Sequence, residues 1–427
     1  MIAIAIAGAQ LSDPIHQRTV WVAGFALVLW LFELVPPFVP TLLLTLGVAS
    51  TLAPLDPKFG LARVLSWPAE PVMLLFFGGF TLSAAAQRHG LDRALAAAAI
   101  SLSGGSQVRL VALVMGATAF LSMWMSNVAA AAMMLVAVRP VIEAQPARSG
   151  FPRAILIALA LGANLGGIAT PVGTGPNALA INALEDTHPI SFPGWMLFAL
   201  PLTIGLLLAG FAVILVLLRP RGHFALPVSA EAPPRVPRLL LALGAIAIAA
   251  WLTEPLHHVN AALIALALAT ALFVSRLLDA TALKNLDWST LVLIGGGLML
   301  GRLLEESLLL SQLSASINWA ALPPVLLTLA FVGVASVGSA LMSNTGTAAL
   351  LIPLAMAAIP SPSVPVLIAV GCSLGIPFTI STPPNAMVRG AGLPSNDLLR
   401  VGLPLMLLGT LVVVLTGPWI LAWVGLR

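Results

Sequence analysis

The chain alternates long apolar stretches with short polar interruptions, and most of the interruptions carry no charge. Residues 110–138, 154–184, 189–218 and 401–426 are charge-free, and each exceeds the roughly 20 residues that span a hydrocarbon core as helix. Residues 307–388 contain no Asp, Glu, Lys, Arg or His. That run is too long for one or two helices, so it must hold several passes separated by polar breaks. The pattern predicts an all-α polytopic membrane protein.

Four breaks stand out. Two are the triplets Ser126-Asn127-Val128 and Ser343-Asn344-Thr345, each flanked by helix-forming apolar arms. Arms such as 110–124 and 129–138 are too short for a full crossing, so the triplets are expected at the tips of re-entrant hairpins over about 107–143 and 323–359. The other two, 173–177 and 381–385, carry glycine or a proline pair ahead of an asparagine. Proline removes an N–H donor and clashes with the preceding turn, so each is expected to break a transmembrane helix.

The breaks belong to a repeat. Trp30-Leu31-Phe32-Glu33 returns as Trp251-Leu252-Thr253-Glu254, and Phe77-Gly78-Gly79-Phe80 as Ile294-Gly295-Gly296-Gly297. Met125-Ser126-Asn127 returns as Met342-Ser343-Asn344, and Gly173-Thr174-Gly175-Pro176-Asn177 as Ser381-Thr382-Pro383-Pro384-Asn385. Order is kept at offsets of 221, 217, 217 and 208. The halves are residues 1–218 and 239–427, joined by 219–238. That linker carries Arg219, Arg221, Arg235 and Arg238, which the positive-inside rule assigns to the cytoplasm.

Matching loops differ in sign. Arg88 and Arg93 correspond to Glu305 and Glu306, whereas Glu185 and Asp186 correspond to the region of Arg389 and Arg400. Loops that exchange sign face opposite sides of the membrane, the mark of inverted repeats. The pair 56–63 and 276–287 is basic in both halves and does not discriminate.

Composition narrows the class. Apolar residues make up 59% and charged residues 8%, too little charge to cover a soluble protein. The basic residues are scattered between apolar runs and serve topology, not nucleic-acid binding. Residues 1–10 lack a basic start, so no cleaved signal peptide is expected. One cysteine, Cys372, makes neither an internal disulfide nor a cysteine metal site. An Arg- and Ala-rich chain suits a GC-rich bacterial genome, and hence a bacterial inner membrane.

Broken helices supply what an anion transporter needs. Half-helix N-termini offer N–H groups and a positive dipole end to an anion. Unwound carbonyls with Ser and Asn oxygens suit a hard cation. Ser122 and Ser126 are four apart, as are Ser339 and Ser343, a spacing that would place each pair on one helix face. Small residues also ease helix packing in membranes, and that is the reading of Gly371-Cys372-Ser373-Leu374-Gly375. Glu33 and Glu254 are expected to cap helix ends at the interface, with a proton site as the alternative.

The stretches LSMWMSNVAAAAMM (121–134), LMSNTGTAALLIPLA (341–355) and STPPNAMVRGAG (381–392) resemble the divalent anion/sodium symporter family over about residues 30–408. The resemblance implies two inverted repeats in a homodimer embedded in membrane lipid. It also implies elevator transport of dicarboxylates, tricarboxylates or sulfate, usually with Na⁺. One Na⁺ site would use Ser122, Ser126, Asn127 and the Gly173 carbonyl; the other would use Ser339, Asn344 and carbonyls near Met342 and Ser381. Substrate would touch Ser126, Asn127, Thr174, Ser343, Asn344, Thr345 and Thr382.

Val128 stands where the family usually has Thr, and Gly175-Pro176 where Pro-Pro is common. The first departure removes a hydroxyl donor toward the anion. Three alternatives remain: a cation-independent anion exchanger of the same fold, a sodium/proton antiporter, which would need buried carboxylates, and an intramembrane hydrolase, which would need a Ser-His pair or Asp dyad. No enzymatic activity is expected.

Overall fold

The computed structural model describes residues 11–146, 149–225, 235–316, 319–423 and 425. Residues 1–10 and the middle of the expected linker, 226–234, lie outside them. Among the described residues the elements are helices, with one isolated bridge between Ser106 and His223.

Among the described residues the first half lays down ten α-helices: α1 (Pro14–Leu31), α2 (Val39–Gly47), α3 (Leu61–Ser66), α4 (Pro71–Arg88), α5 (Leu91–Leu102), α6 (Gln107–Ser122), α7 (Asn127–Glu143), α8 (Gly150–Gly166), α9 (Gly175–Leu184) and α10 (Phe192–Leu217). The second half repeats the succession: α11 (Arg238–Leu252), α12 (Ala261–Val274), α13 (Ala280–Lys284), α14 (Trp288–Glu306), α15 (Leu309–Ser316), α16 (Pro324–Leu341), α17 (Asn344–Ala358), α18 (Val364–Ser373), α19 (Pro383–Gly390) and α20 (Ser395–Trp423). A single extra turn, Glu254–His257, precedes α12.

Packing follows the same repeat. Helix α4 packs on α12 and α14 on α2; α6 packs on α8 and α16 on α18. The halves also exchange partners, with α7 against α19 and α17 against α9, while α10 and α20 lie side by side. Glycine permits the closest approaches. A Cβ on Gly78 would stand 2.6 Å from the Ala265 Cβ, and one on Gly296 would stand 2.6 Å from Trp30 Cζ2.

Helix α8 is buried on every side, whereas α10 and α20 turn apolar side chains such as Leu208, Val216 and Leu415 outward. An apolar helix wrapped by others forms the centre of the bundle, and exposed apolar faces suit lipid. Among the described residues four stretches are long and apolar enough to cross a membrane: Gly150–Ala169, Phe192–Leu217, Pro324–Leu341 and Ser395–Trp423. The third is an expected hairpin arm. Its 18 residues rise about 27 Å, so arm length alone does not separate a re-entrant pair from a crossing pair here.

Charged groups gather at two ends. At one, Arg302 meets Glu70 (3.4 Å), Asp186 (3.5 Å) and Glu305 (3.3 Å). At the other, Arg153 on the first turn of α8 binds the 4%-exposed Asp397 carboxylate through two hydrogen bonds of 2.6 and 2.5 Å. The bidentate fork neutralises a carboxylate that burial would otherwise penalise. Glu254 accepts the backbone N–H of Phe192 at 2.7 Å, so it sits at a helix end.

Candidate functional site

Each triplet lies where one helix stops and the next begins. Helix α6 ends at Ser122, and Ser126 caps α7 by accepting the Ala129 N–H at 3.2 Å. Helix α16 ends at Leu341, Met342 is extended, and Ser343 caps α17 by accepting the Gly346 N–H at 3.3 Å. This corrects the four-residue reading. Ser122 and Ser126 do not share a helix face, nor do Ser339 and Ser343, because the chain leaves helical geometry between them.

The first tip gathers oxygens. The Ser122 hydroxyl lies 2.6 Å from the Ala163 carbonyl and 2.7 Å from the inward-facing end of the Asn127 amide. That same end lies 3.2 Å from the Ala163 oxygen and 3.3 Å from the Gly173 oxygen. With the amide nitrogen inward, Asn127 donates to all three. With Oδ1 inward, the Ser122, Ala163 and Gly173 oxygens all lie within 3.3 Å of it, the kind of donor set a hard monovalent cation accepts. A Cβ on Gly167 would sit 2.5 Å from Asn127 Oδ1 and 3.0 Å from the Gly173 oxygen, so only glycine leaves this cradle open. The structure brings Ser122, Asn127 and Gly173 together and adds the Ala163 carbonyl. Ser126 is engaged in capping.

At the second tip Ser339 is fully buried and donates to the Ser336 carbonyl at 3.2 Å. A Cβ on Gly375, the counterpart of Gly167, would collide with Ser339 Oγ. Asn344 Oδ1 is buried without a hydrogen-bond partner among the described residues, an acceptor such a site leaves waiting. Ser381 Oγ donates to the Ala340 carbonyl at 2.8 Å and accepts the Phe378 N–H at 3.1 Å.

The Pro-Asn breaks are stitched by their asparagines. Asn177 Nδ2 donates to the carbonyls of Gly167 (3.0 Å) and Thr170 (2.8 Å). Asn385 Nδ2 donates to Ile376 (3.0 Å) and Phe378 (2.8 Å). Unwound backbone in an apolar interior needs such internal donors. The two asparagines are 0% and 1% exposed, and their amide nitrogens hold the unwound carbonyls. The repeated motif carried this signal. Asn164, which donates to Asn385 Oδ1 at 2.9 Å, had no sequence signal.

The expected substrate contacts divide. Thr174 precedes α9 in extended conformation and Thr382 caps α19, accepting the Asn385 N–H at 3.3 Å. Thr345 lies against Gly175, across the halves. Val128 is 37% exposed on the first turn of α7. Beside the first tip, Trp124 stacks on Phe192 and Trp251 with interplanar angles of 6° and 7°, binding this tip to α10 and α11. Among the described residues no cluster of His, Cys, Asp and Glu is set to hold a metal.

A helical bundle with lipid-suited outer faces and paired helix breaks at its centre is the architecture of a polytopic membrane transporter. The family model described as citrate transporter matches residues 27–370, and the chain belongs to that family, which is related to the divalent anion/sodium symporters. A protein of Haemophilus influenzae described as an uncharacterized transporter is 29% identical over 440 residues, 95% of this chain and 92% of its own. The sodium-dependent dicarboxylate transporter SdcS of Staphylococcus aureus is 26% identical over 451 residues, 93% of this chain and 84% of its own. The fold is similar to that of the YdaH transporter of Alcanivorax borkumensis, with a TM-score of 0.61 at 17% identity over 97% and 98% of the two chains.

Proposed function

We propose that this transporter carries a small dicarboxylate, tricarboxylate or sulfate into the cell with Na⁺, by an elevator movement of α6–α10 and α16–α20 against the remaining helices. The observation that carries the reading is the oxygen set at the first tip: Ser122, Asn127, Ala163 and Gly173. The sodium dependence stated in the name of the Staphylococcus aureus relative supports it.

Inverted topology is supported by α10 and α20. They pack side by side, yet α10 starts beside Glu254 and ends where its Leu218 oxygen meets Gly150 at the start of α8. Helix α20 begins at that same place, where Asp397 binds Arg153. An elevator is supported by asymmetry: α9 and α17 pack on α14, while α19 and α7 have no comparable packing on α4. A body that leans on one half of its frame has an equivalent resting place on the other.

Substrate would lie between the tips, at Ser126, Asn127, Val128 and Thr174 on one side and Ser343, Asn344, Thr345 and Thr382 on the other. Cations would sit beside the tips, at Ser122, Asn127, Ala163 and Gly173, and at Ser339, Met342, Asn344 and Ser381. Bringing in a dianion against 100 mV costs about 4.6 kcal/mol, and two Na⁺ cancel that charge. Uptake of labelled succinate, citrate and sulfate into proteoliposomes, with external Na⁺ or choline, tests the reading. Equal uptake in choline would leave a cation-independent exchanger.

A further inference from the structure

The two cation sites proposed above are joined by a chain of contacts through Asn164. The Ala163 carbonyl belongs to the first site, and the side chain of the next residue, Asn164, leaves that site for the other half of the molecule. Its Nδ2 donates to Asn385 Oδ1 at 2.9 Å. Asn385 in turn holds the carbonyls of Ile376 and Phe378. Phe378 donates its N–H to Ser381 Oγ, and Ser381 Oγ donates to the Ala340 carbonyl, next to Ser339. From Asn164 to the Ala340 carbonyl the links between residues are hydrogen bonds among buried or partly buried groups, where unmade bonds are costly and geometry is therefore shared along the chain.

The repeat predicts a mate for this bond, and the mate is missing. Asn385 corresponds to Asn177, and Asn164 corresponds at the same offset to Cys372. Asn177 Oδ1 is buried with no hydrogen-bond partner among the described residues, and Cys372 is fully buried. Thiols are weak donors. One bridge between the halves is made, and its symmetric counterpart is not.

Resting on the two-site reading, we propose that Asn164 is a positioning residue that couples the sites: filling the first orders Ala163 and, through Asn164 and Asn385, the backbone of the second. The coupling is a free energy shared between two sites. It requires that the bond exist, not that it run from this particular half.

Na⁺-dependent thermal stabilisation of the purified protein, without substrate, reads the coupling directly. The unaltered protein should give a Hill slope of about 2 and Asn164→Cys a slope of about 1. The exchange Asn164→Cys/Cys372→Asn moves the bridge to Asn177 and should restore a slope above that of the single variant. If Asn164→Cys does not fold, Asn164→Ser is titrated in its place. A slope of about 2 in the single variant overturns the proposal while leaving the two sites intact. An exchange variant no better than the single one also overturns it, because the loss then comes from damage to α8. Absence of any Na⁺ effect in the unaltered protein removes the two-site reading, and the proposal with it.

Discussion

Thr345, on the first turn of α17, rests on the bare Cα of Gly175 at the start of α9. A Cβ there would meet Thr345 Oγ1 and approach its Cγ2 to 3.1 Å. Two features that the sequence presents separately are thus one contact: glycine replaces proline in the first break where the second half's threonine must fit.

Gly175→Ala should push Thr345 out of place and weaken anion binding. Loss of one hydrogen bond to a charged group is worth about 1.5–3 kcal/mol, or roughly ten- to a hundredfold in affinity. Thermal-shift titration with succinate measures it. Unchanged affinity would show that Thr345 does not serve the substrate.

Asn127→Ala and Asn344→Ala should each abolish uptake while expression and membrane insertion persist, because each removes an oxygen from a tip. Uptake at the unaltered rate in either variant would remove that residue from the site.

Val128→Thr should strengthen binding of succinate and shift preference among anions, since it returns a hydroxyl at a half-exposed position on the tip. Titration of succinate and sulfate into both forms decides the matter. Identical affinities for every anion would mean that residue 128 only packs.

Arg88 and Glu305 should be labelled from opposite sides of the membrane when each is replaced by cysteine in a Cys372→Ser background. Arg88 pairs with Asp279 at 2.7 Å and Arg63 with Glu306 at 2.9 Å, the same ion pair with its signs exchanged between the halves. Labelling of both positions from one side would contradict the inverted topology.

Glu185 lies in the loop after α9, where burial and then the charges of Glu70, Asp186 and Glu254 raise its pKa above the usual carboxylate value. A raised carboxylate binds its proton more tightly folded than unfolded, so stability falls as pH rises above the ordinary value. Glu185→Gln should therefore melt higher than the unaltered protein at neutral pH, with the gap closing toward pH 4. A gap that widens on acidification would reverse the assignment.

Apolar runs, the duplicated triplets and the duplicated Pro-Asn breaks were enough to predict the helices and the places where they break, while the grouping of Ser122, Asn127 and Gly173 followed from the family resemblance. Those features are local: hydrophobic period, proline geometry and short polar motifs act within a few residues of themselves. The direction of Ser126, the contribution of the Ala163 carbonyl and the bond from Asn164 to Asn385 were decided only in three dimensions. A backbone carbonyl has no sequence signature, and a capping serine faces its own helix whatever its spacing. A single asparagine in an apolar helix gives no hint of a partner 221 residues away, because only the packing of α8 against α19 brings the two amides within reach.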